Sequence, residues 1–96
     1  MARPTILLLH AFPFDSRMWN EVRPGLEDAG FETAAPDLPG ADLELGFPAW
    51  GRRVLGIVEG DFVPVGSSLG GYLAFELWRQ APERITAMAL VGTRAT

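Results

Sequence analysis

Two adjacent serines, Ser67 and Ser68, lie between a short apolar run and a segment with helical periodicity. A serine between two glycines at a sharp strand-to-helix turn is the arrangement that presents a hydroxyl for nucleophilic attack. Ser68 has Gly66 two positions before it and Gly70 two positions after it, whereas Ser67 has larger apolar residues at both places. Glycines there leave room for a strained backbone and for close approach of strand and helix. The spacing therefore selects Ser68 as the candidate nucleophile.

Two other interpretations of this glycine-rich turn are open. A plain loop of glycine and serine can join a strand to a helix without any chemical role. A phosphate-binding turn would need a lysine next to the serine or the Gly-x-Gly-x-x-Gly spacing, and the segment from Gly66 to Gly71 has neither. The nucleophile interpretation is therefore favoured over phosphate binding.

A serine hydroxyl is a weak nucleophile near neutral pH unless a base takes its proton and a third group orients that base. His10 is the only histidine of the chain, and nothing in the sequence pairs it with Ser68 and an acid. The carboxylates after Ser68 are Glu76 and Glu83, which are assigned to a helix and its end. We therefore expect a structural hydrogen-bonding role for His10 and a turn or capping role for Asp37.

The composition limits what kind of protein this is. The chain has 96 residues and 48% hydrophobic residues, which predicts one small domain with a packed core. The formal net charge of −4 without a basic cluster disfavours nucleic acid and anionic membranes as partners. Because the chain has no cysteine, a thiol nucleophile, a disulfide and a thiolate metal site are excluded. We expect no cofactor.

No stretch of the sequence has the pattern of a membrane or targeting segment. The longest uninterrupted apolar run, from Ile6 to Leu9, is far too short to span a bilayer. The first residues lack the long apolar core of a signal peptide. A cytoplasmic location is the expectation that follows.

The elements that would position Ser68 alternate along the chain. Strands are predicted at Thr5 to His10, Phe31 to Pro36, Phe62 to Val65 and Ile85 to Val91, and helices from Asp15 or Ser16 to Ala29, from Phe47 to Glu59 and from Tyr72 to Gln80. Pro24 and Gly25 should kink or split the first helix near Arg23. Pro64 lies inside a predicted central strand, where it cannot donate a ladder hydrogen bond. The alternation predicts an α/β fold with a mostly parallel sheet and flanking helices.

Apolar residues at helical spacing indicate which face of each helix is buried. The predicted stripes are Met18, Val22, Leu26 and Ala29 in the first helix, Trp50, Val54, Ile57 and Val58 in the second, and Ala74, Leu77, Trp78 and Ala81 in the third. Trp19, Trp50 and Trp78 are interpreted as core or interface residues.

Four motifs, taken in order, resemble the N-terminal half of the α/β-hydrolase family. The run from His10 to Pro13 is similar to that family's His-Gly oxyanion turn, and the run from Pro36 to Gly40 to its Asp-x-x-Gly turn. The run from Gly66 to Gly71 resembles the nucleophile elbow, and Ala81 to Val91 the following helix-to-strand passage. The similarity covers essentially all 96 residues, and the stretch after His10 looks closest to small-molecule esterases, enol-lactonases and cofactor-free haloperoxidases.

The resemblance implies a role for each matched residue. Ser68 would attack a small ester or lactone, and the backbone amides of Phe12 and Leu69 would form the oxyanion hole. His10 would support the oxyanion turn, in which Ala11 replaces the usual glycine. Supporting roles at the elbow would fall to Gly66, Gly70 and Gly71.

The family's order of catalytic residues places the acid and the histidine after the nucleophile, and the sequence has no histidine after Ser68. We therefore expect a single α/β-hydrolase-like domain over residues 1–96, truncated after the strand at 85–91 and nearly inactive by itself. It would be a fragment of a serine hydrolase or one piece of a split enzyme. The alternative is a non-catalytic interaction module, whose exposed sheet edge would bind a second copy or a complementing C-terminal chain.

Overall fold

The computed structural model describes residues 3–11, 14–38 and 46–91. Within these ranges the strands are β1 (Thr5–Leu9), β2 (Thr33–Ala34), β3 (Phe62–Ser67) and β4 (Ala89–Val91), and the helices are α1 (Arg23–Asp28), α2 (Gly46–Ile57) and α3 (Leu69–Gln80). Short 3₁₀ helices cover Ser16–Trp19 and Pro82–Arg84. None of the helices in these ranges has the length and apolar character needed to cross a membrane.

The four strands form one parallel sheet in the order β2-β1-β3-β4. The two central strands are in register, so that Leu9 at the end of β1 lies beside Gly66 near the end of β3. After β1 the chain adds β2 next to one edge of β1, and it then crosses over to add β3 and β4 next to the other edge. In open α/β sheets, ligands bind beyond the carboxyl ends of the strands where the order reverses in this way. The predicted α/β fold with a parallel sheet is confirmed.

The alternating side chains of β1 belong to two separate cores, one on each face of the sheet. Leu7 and Leu9 are fully buried against α2 and α3, whereas Ile6 and Leu8 pack with Trp19 on the opposite face. The larger core also contains Trp50, Val54, Val58, Phe62, Leu73, Ala74 and Leu77. Burial on both faces explains why β1 is a continuous apolar run in the sequence.

The first predicted helix is split, as Pro24 suggested, but its buried stripe was predicted wrongly. The chain forms a 3₁₀ helix at Ser16–Trp19 and then α1, in which Pro24 occupies the first turn. Proline is tolerated there because the first turn's N–H groups have no intrahelical acceptor. The change of helix type rotates the residues relative to one another, so Trp19 is buried while Met18 and Val22 are exposed.

Pro64 does not interrupt β3, and its effect falls on the neighbouring strand. The backbone carbonyl of Asp61 accepts from the N–H of Thr5 in β1, and the carbonyl of Phe62 accepts from the N–H of Thr86 on the β4 side. Because the backbone groups of successive strand residues point to opposite neighbours, those of Pro64 point to the β4 side, as those of Phe62 do. Bridges join Phe62 to Ile85 and Val65 to Ala89, with one extra residue on the β4 side between them. β4 is therefore shorter than the predicted strand from Ile85 to Val91, because Pro64 offers no donor to the residues opposite it.

The helices on the larger core differ from the prediction at single positions. Ile57 and Trp78, both placed in buried stripes, are 58% and 56% exposed, while Leu73 is fully buried. The third helix starts at Leu69, three residues before the predicted start, because its first turn includes two glycines that give no helical signal in the sequence. β2 is also shorter than the predicted strand from Phe31 to Pro36.

Candidate active site

Ser68 lies at the turn between β3 and α3 in a backbone conformation that non-glycine residues rarely adopt. Its φ of 53° and ψ of −112° make it the only non-glycine residue with positive φ among the residues that the structure describes. Such a conformation costs about 1–3 kcal/mol and persists only where the surrounding structure holds it. Ser68 is exposed, in contrast to the buried Gly66 and Gly70 on either side.

The two flanking glycines are required by close backbone packing. A Cβ on Gly66 would lie 2.5 Å from the Cα and the N of Gly71, which belongs to the first turn of α3. A Cβ on Gly70 would lie 2.7 Å from the carbonyl carbon of Leu9 and 2.9 Å from the carbonyl oxygen of His10. The start of α3 therefore packs directly on the ends of β3 and β1, and this packing leaves no space for a side chain at either glycine.

Backbone hydrogen bonds hold the turn at Ser68. Its N–H donates to the carbonyl of Val91 at 3.0 Å, and its own carbonyl accepts from the N–H of Gly71 at 2.9 Å. The Ser68 side chain makes no capping hydrogen bond to α3. The turn is thus fixed from β4 and from α3 without using the hydroxyl as a helix cap.

Of the two predicted oxyanion donors, the structure describes Leu69 but not Phe12. Leu69 is the first residue of α3, so its N–H belongs to the group that a helix leaves without an intrahelical acceptor. The helix dipole adds a partial positive charge at this end. Phe12 lies outside the described residues, as does Pro13 of the same predicted turn.

His10 is buried at 2% exposure, directly after β1. Its Nε2 accepts a hydrogen bond from the N–H of Leu38 at 2.8 Å, and its Nδ1 lies 3.1 Å from the carbonyl oxygen of Ala11. Because Nε2 accepts, the ring proton belongs on Nδ1, which can donate to Ala11. The imidazole therefore joins the end of β1 to the loop after β2.

Two side chains make contacts in this region that were not predicted from the sequence. The thioether of Met18 accepts the N–H of Ala11 at 3.2 Å, and the carboxylate of Asp37 accepts the N–H of Ser16 at 2.8 Å. The composition around Asp37 predicts a turn, but a partner 21 residues away gives no local signal. The helical spacing of Met18 predicts a buried position and gives no indication that its thioether is an acceptor.

The two carboxylates that follow Ser68 lie on α3 and in the 3₁₀ helix after it. Glu76 on α3 accepts hydrogen bonds from Arg79 and Gln80, and these bonds lower its pKa. Glu83 is exposed in the 3₁₀ helix after α3. Within the described ranges there is no cluster of three or more potential metal-ligating side chains.

Comparison with known proteins finds esterases and other hydrolases among the relatives of this chain. The chain is 34% identical over 100 residues to the pimeloyl-[acyl-carrier protein] methyl ester esterase of Aromatoleum aromaticum, a match that covers 97% of this chain and 38% of the relative. It matches the crystal structure of a pyrethroid hydrolase from Sphingobium faniae with a TM-score of 0.80 and 27% identity, covering 94% of this chain and 40% of that one. A thermophilic esterase from Thermogutta terrifontis matches with a TM-score of 0.78 and 32% identity, covering 98% and 38%.

The chain thus spans about two fifths of the length of each of these three proteins. The sequence model of the alpha/beta hydrolase family matches residues 6–95, nearly the whole chain. The parallel sheet, the glycine-flanked turn at Ser68 and this match lead to one conclusion: the chain belongs to the alpha/beta hydrolase family.

Proposed function

We propose that this chain carries the nucleophile of a serine esterase that acts on a small carboxylic ester. The observation that supports the proposal most strongly is the positive φ of Ser68 between two glycines that tolerate no Cβ. A strained serine at the carboxyl end of a central strand is the geometry that nucleophilic acyl transfer requires. The esterases among the relatives favour an ester as the substrate class, and a lactone stays a prediction from the sequence.

In the proposed reaction, the Oγ of Ser68 attacks the carbonyl carbon of the ester while a base takes the hydroxyl proton. The carbonyl oxygen becomes an oxyanion, which the N–H groups of Leu69 and Phe12 would stabilise. Collapse of the tetrahedral intermediate breaks the bond to the alcohol, which leaves with a proton, and water then hydrolyses the acyl-serine. Loss of one oxyanion donor typically lowers the rate by about 10²–10³-fold.

The base and the acid are proposed to lie outside these 96 residues. His10 does not suit the role of base because its Nε2 already accepts from Leu38 and the ring is buried. The relatives are more than twice as long as this chain, which leaves room in such proteins for the remaining groups. We therefore expect little turnover from the chain without an added base. A cytoplasmic location also stays a prediction.

An ester-hydrolysis assay with an added base tests this proposal. Imidazole can take the proton of a serine hydroxyl when the protein supplies no histidine for this purpose. Release of nitrophenol from p-nitrophenyl acetate should exceed the imidazole background for the wild type and the Ser67→Ala variant, and should return to background in Ser68→Ala. Equal rates for the wild type and Ser68→Ala would refute the assignment of Ser68.

A second candidate function is association with another polypeptide, and the outer face of α3 favours it. Tyr72, Phe75 and Trp78 follow one another at three-residue spacing, with Tyr72 46% and Trp78 56% exposed. Phe75 and Trp78 line a groove of about 420 Å³ together with Ile85 and Met88 next to β4. Exposed aromatic clusters of this kind mark interaction surfaces.

We propose that the partner at this groove is the remaining part of an alpha/beta hydrolase chain, since this chain spans only 38% of its esterase relative. The test mixes the chain with the segment of the Aromatoleum aromaticum esterase that lies beyond the matched region and measures mass in solution. A 1:1 complex that Trp78→Lys abolishes and Ile57→Lys preserves would support the proposal. Self-association through Trp78, or no complex, would contradict it.

A further inference from the structure

Of the methionines that the structure describes, Met18 is the one exposed to solvent. It is 37% exposed, whereas Met88 is half-buried and packs against the larger core. Met18 also lines a groove of about 350 Å³ together with Phe14, Asp15 and Arg17. A small molecule in solution can therefore approach this side chain.

The sulfur of Met18 accepts a hydrogen bond from a buried donor. The donor is the N–H of Ala11 at 3.2 Å, and within the described ranges this N–H makes no second hydrogen bond. Ala11 is 8% exposed, so water has little access to the group. A buried N–H that loses its acceptor bears the cost of its desolvation without compensation. The contact with Met18 therefore matters although sulfur is a weak acceptor.

The peptide unit that contains this N–H packs on α3 at its other side. The N–H of Ala11 and the carbonyl of His10 belong to the same planar peptide unit, in which the two groups point in opposite directions. The carbonyl oxygen of His10 would lie 2.9 Å from a Cβ on Gly70, so it packs directly on the Gly70 backbone. The peptide unit thus lies between the sulfur of Met18 and the first turn of α3, close to Ser68.

We propose that Met18 is an oxidation site through which a peroxide alters the contact between the end of β1 and α3. In the reaction with hydrogen peroxide, the O–O bond breaks, an S–O bond forms and water is released. The sulfur loses two electrons and the peroxide gains them. The product is methionine sulfoxide, a polar side chain that reductases convert back to methionine. Because the chain has no cysteine, no thiol of its own competes for the oxidant.

The sulfoxide does not fit the contact that the thioether makes. Its oxygen extends one bond beyond the sulfur, and an N–H···O bond needs about 2.7–3.2 Å between nitrogen and oxygen. Since the sulfur itself lies 3.2 Å from the Ala11 nitrogen, the oxygen can accept only if Met18 withdraws or the peptide unit turns. If the oxygen points elsewhere, the N–H keeps only the oxidised sulfur, a poorer acceptor. Each case changes the surroundings of Ala11 and, through the His10 carbonyl, of Gly70.

Peroxide treatment of the folded 96-residue chain, followed by peptide mapping, measures how fast each methionine is oxidised. We expect Met18 to be oxidised at least about threefold faster than Met88, because exposure governs access of the oxidant. In urea, where the chain is unfolded, the two rates should be nearly equal. Mapping separates both residues from Met1, which lies outside the described residues. An equal or faster rate at Met88 in the folded chain would overturn the assignment of the site.

Amide NMR measures the structural effect of the modification. In Met88→Leu, peroxide should shift the amide resonances of Ala11 and Gly70, and a methionine sulfoxide reductase should reverse both shifts. Met18→Leu keeps a side chain of similar size without the sulfur. In this variant, the Ala11 N–H should exchange with solvent about tenfold faster than in the wild type, and peroxide should shift neither resonance.

The contradicting results are equally specific. Unchanged Ala11 and Gly70 resonances after complete oxidation of Met18, or a shift confined to Ala11, would show that the modification does not reach α3. Equal exchange of the Ala11 N–H in the wild type and Met18→Leu would show that the thioether does not hold this group. None of these measurements depends on the proposed role of Ser68, so the two proposals can fail separately.

Discussion

The backbone of Gly70 in α3 lies directly against the carbonyl group of Leu9 at the end of β1. A Cβ on Gly70 would come within 2.7 Å of the Leu9 carbonyl carbon, a distance that real Cβ atoms do not reach. This contact places the first turn of the elbow helix at the point where the two central strands end. The location of Ser68 therefore depends on a residue two positions away that has no side chain.

We predict that Gly70→Ala destabilises the fold, although alanine is normally the better helix former. The new methyl group must displace backbone, so the free energy of unfolding should fall by about 2–3 kcal/mol. Gly56→Ala is the matched control, because Gly56 lies in α2 and a Cβ there would have nothing within 4 Å, and it should gain about 0.5–1 kcal/mol. Urea denaturation measures both. Equal effects of the two substitutions would contradict the close packing.

The strain at Ser68 leads to a prediction about stability that does not depend on activity. At a φ of 53° and ψ of −112°, glycine is favoured over any residue with a Cβ. Ser68→Gly should therefore raise the free energy of unfolding by about 1 kcal/mol, whereas Ser68→Ala keeps the strain and should change it by much less. Thermal denaturation distinguishes the two. A Ser68→Gly variant less stable than Ser68→Ala would argue against a strained turn.

Arg84 is predicted to stabilise the end of α2. Its guanidinium donates to the carbonyls of Val58, Leu55 and Gly60, and lies 5.2 Å from the centre of the Phe62 ring. Arginine satisfies several carbonyls at once through its planar fork, which lysine cannot reproduce. We expect Arg84→Lys to cost about 1–2 kcal/mol.

The control for this prediction is Arg53→Ala, which removes an exposed arginine from α2 itself and should change stability by less than about 0.5 kcal/mol. Chemical denaturation of both variants provides the comparison. Arg84→Lys with wild-type stability would show that the carbonyl contacts contribute nothing.

Glu76 should make the stability of the protein depend on pH in acid. Hydrogen bonds from Arg79 and then Gln80 lower the pKa of Glu76 from its ordinary value of 4.5. Since the folded pKa is the lower one, this stabilisation is complete above pH 4.5 and is lost as the pH falls through the folded pKa. Arg79 is 63% exposed, so solvent screening limits the effect to less than about 1 kcal/mol.

In Glu76→Gln and in Arg79→Ala, the free energy of unfolding should therefore fall less steeply in acid than in the wild type. Denaturation at a series of pH values measures the slopes. Parallel curves for the wild type and Glu76→Gln would show that this carboxyl group has the same pKa in the folded and unfolded states.

Features determined by local pattern could be predicted from the sequence. The apolar runs of β1 and β3 indicated the central strands, and the glycine spacing identified the turn at Ser68. These predictions succeeded because burial on both faces and a requirement for glycine leave a signal in the residue types themselves.

Features that depend on contacts between distant segments could not be predicted. The sequence places Pro64 inside β3, but the consequence is the shortening of β4, which is a property of the partner strand. Trp78 has the spacing of a core residue, yet it is exposed because α3 presents that side away from the sheet. The bond from Ser16 to Asp37 is set by how the loops after β1 and β2 meet.

The most direct test of Ser68 as the nucleophile is to map the residue that a fluorophosphonate labels in the presence of imidazole. Intact-mass spectrometry should show a single label on the wild type and on Ser67→Ala, and peptide mapping should place it on Ser68. The Ser68→Ala variant should remain unlabelled while keeping the wild-type fold by circular dichroism. A label on any other residue, or labelling of Ser68→Ala at the wild-type rate, would contradict the claim that Ser68 is the nucleophile.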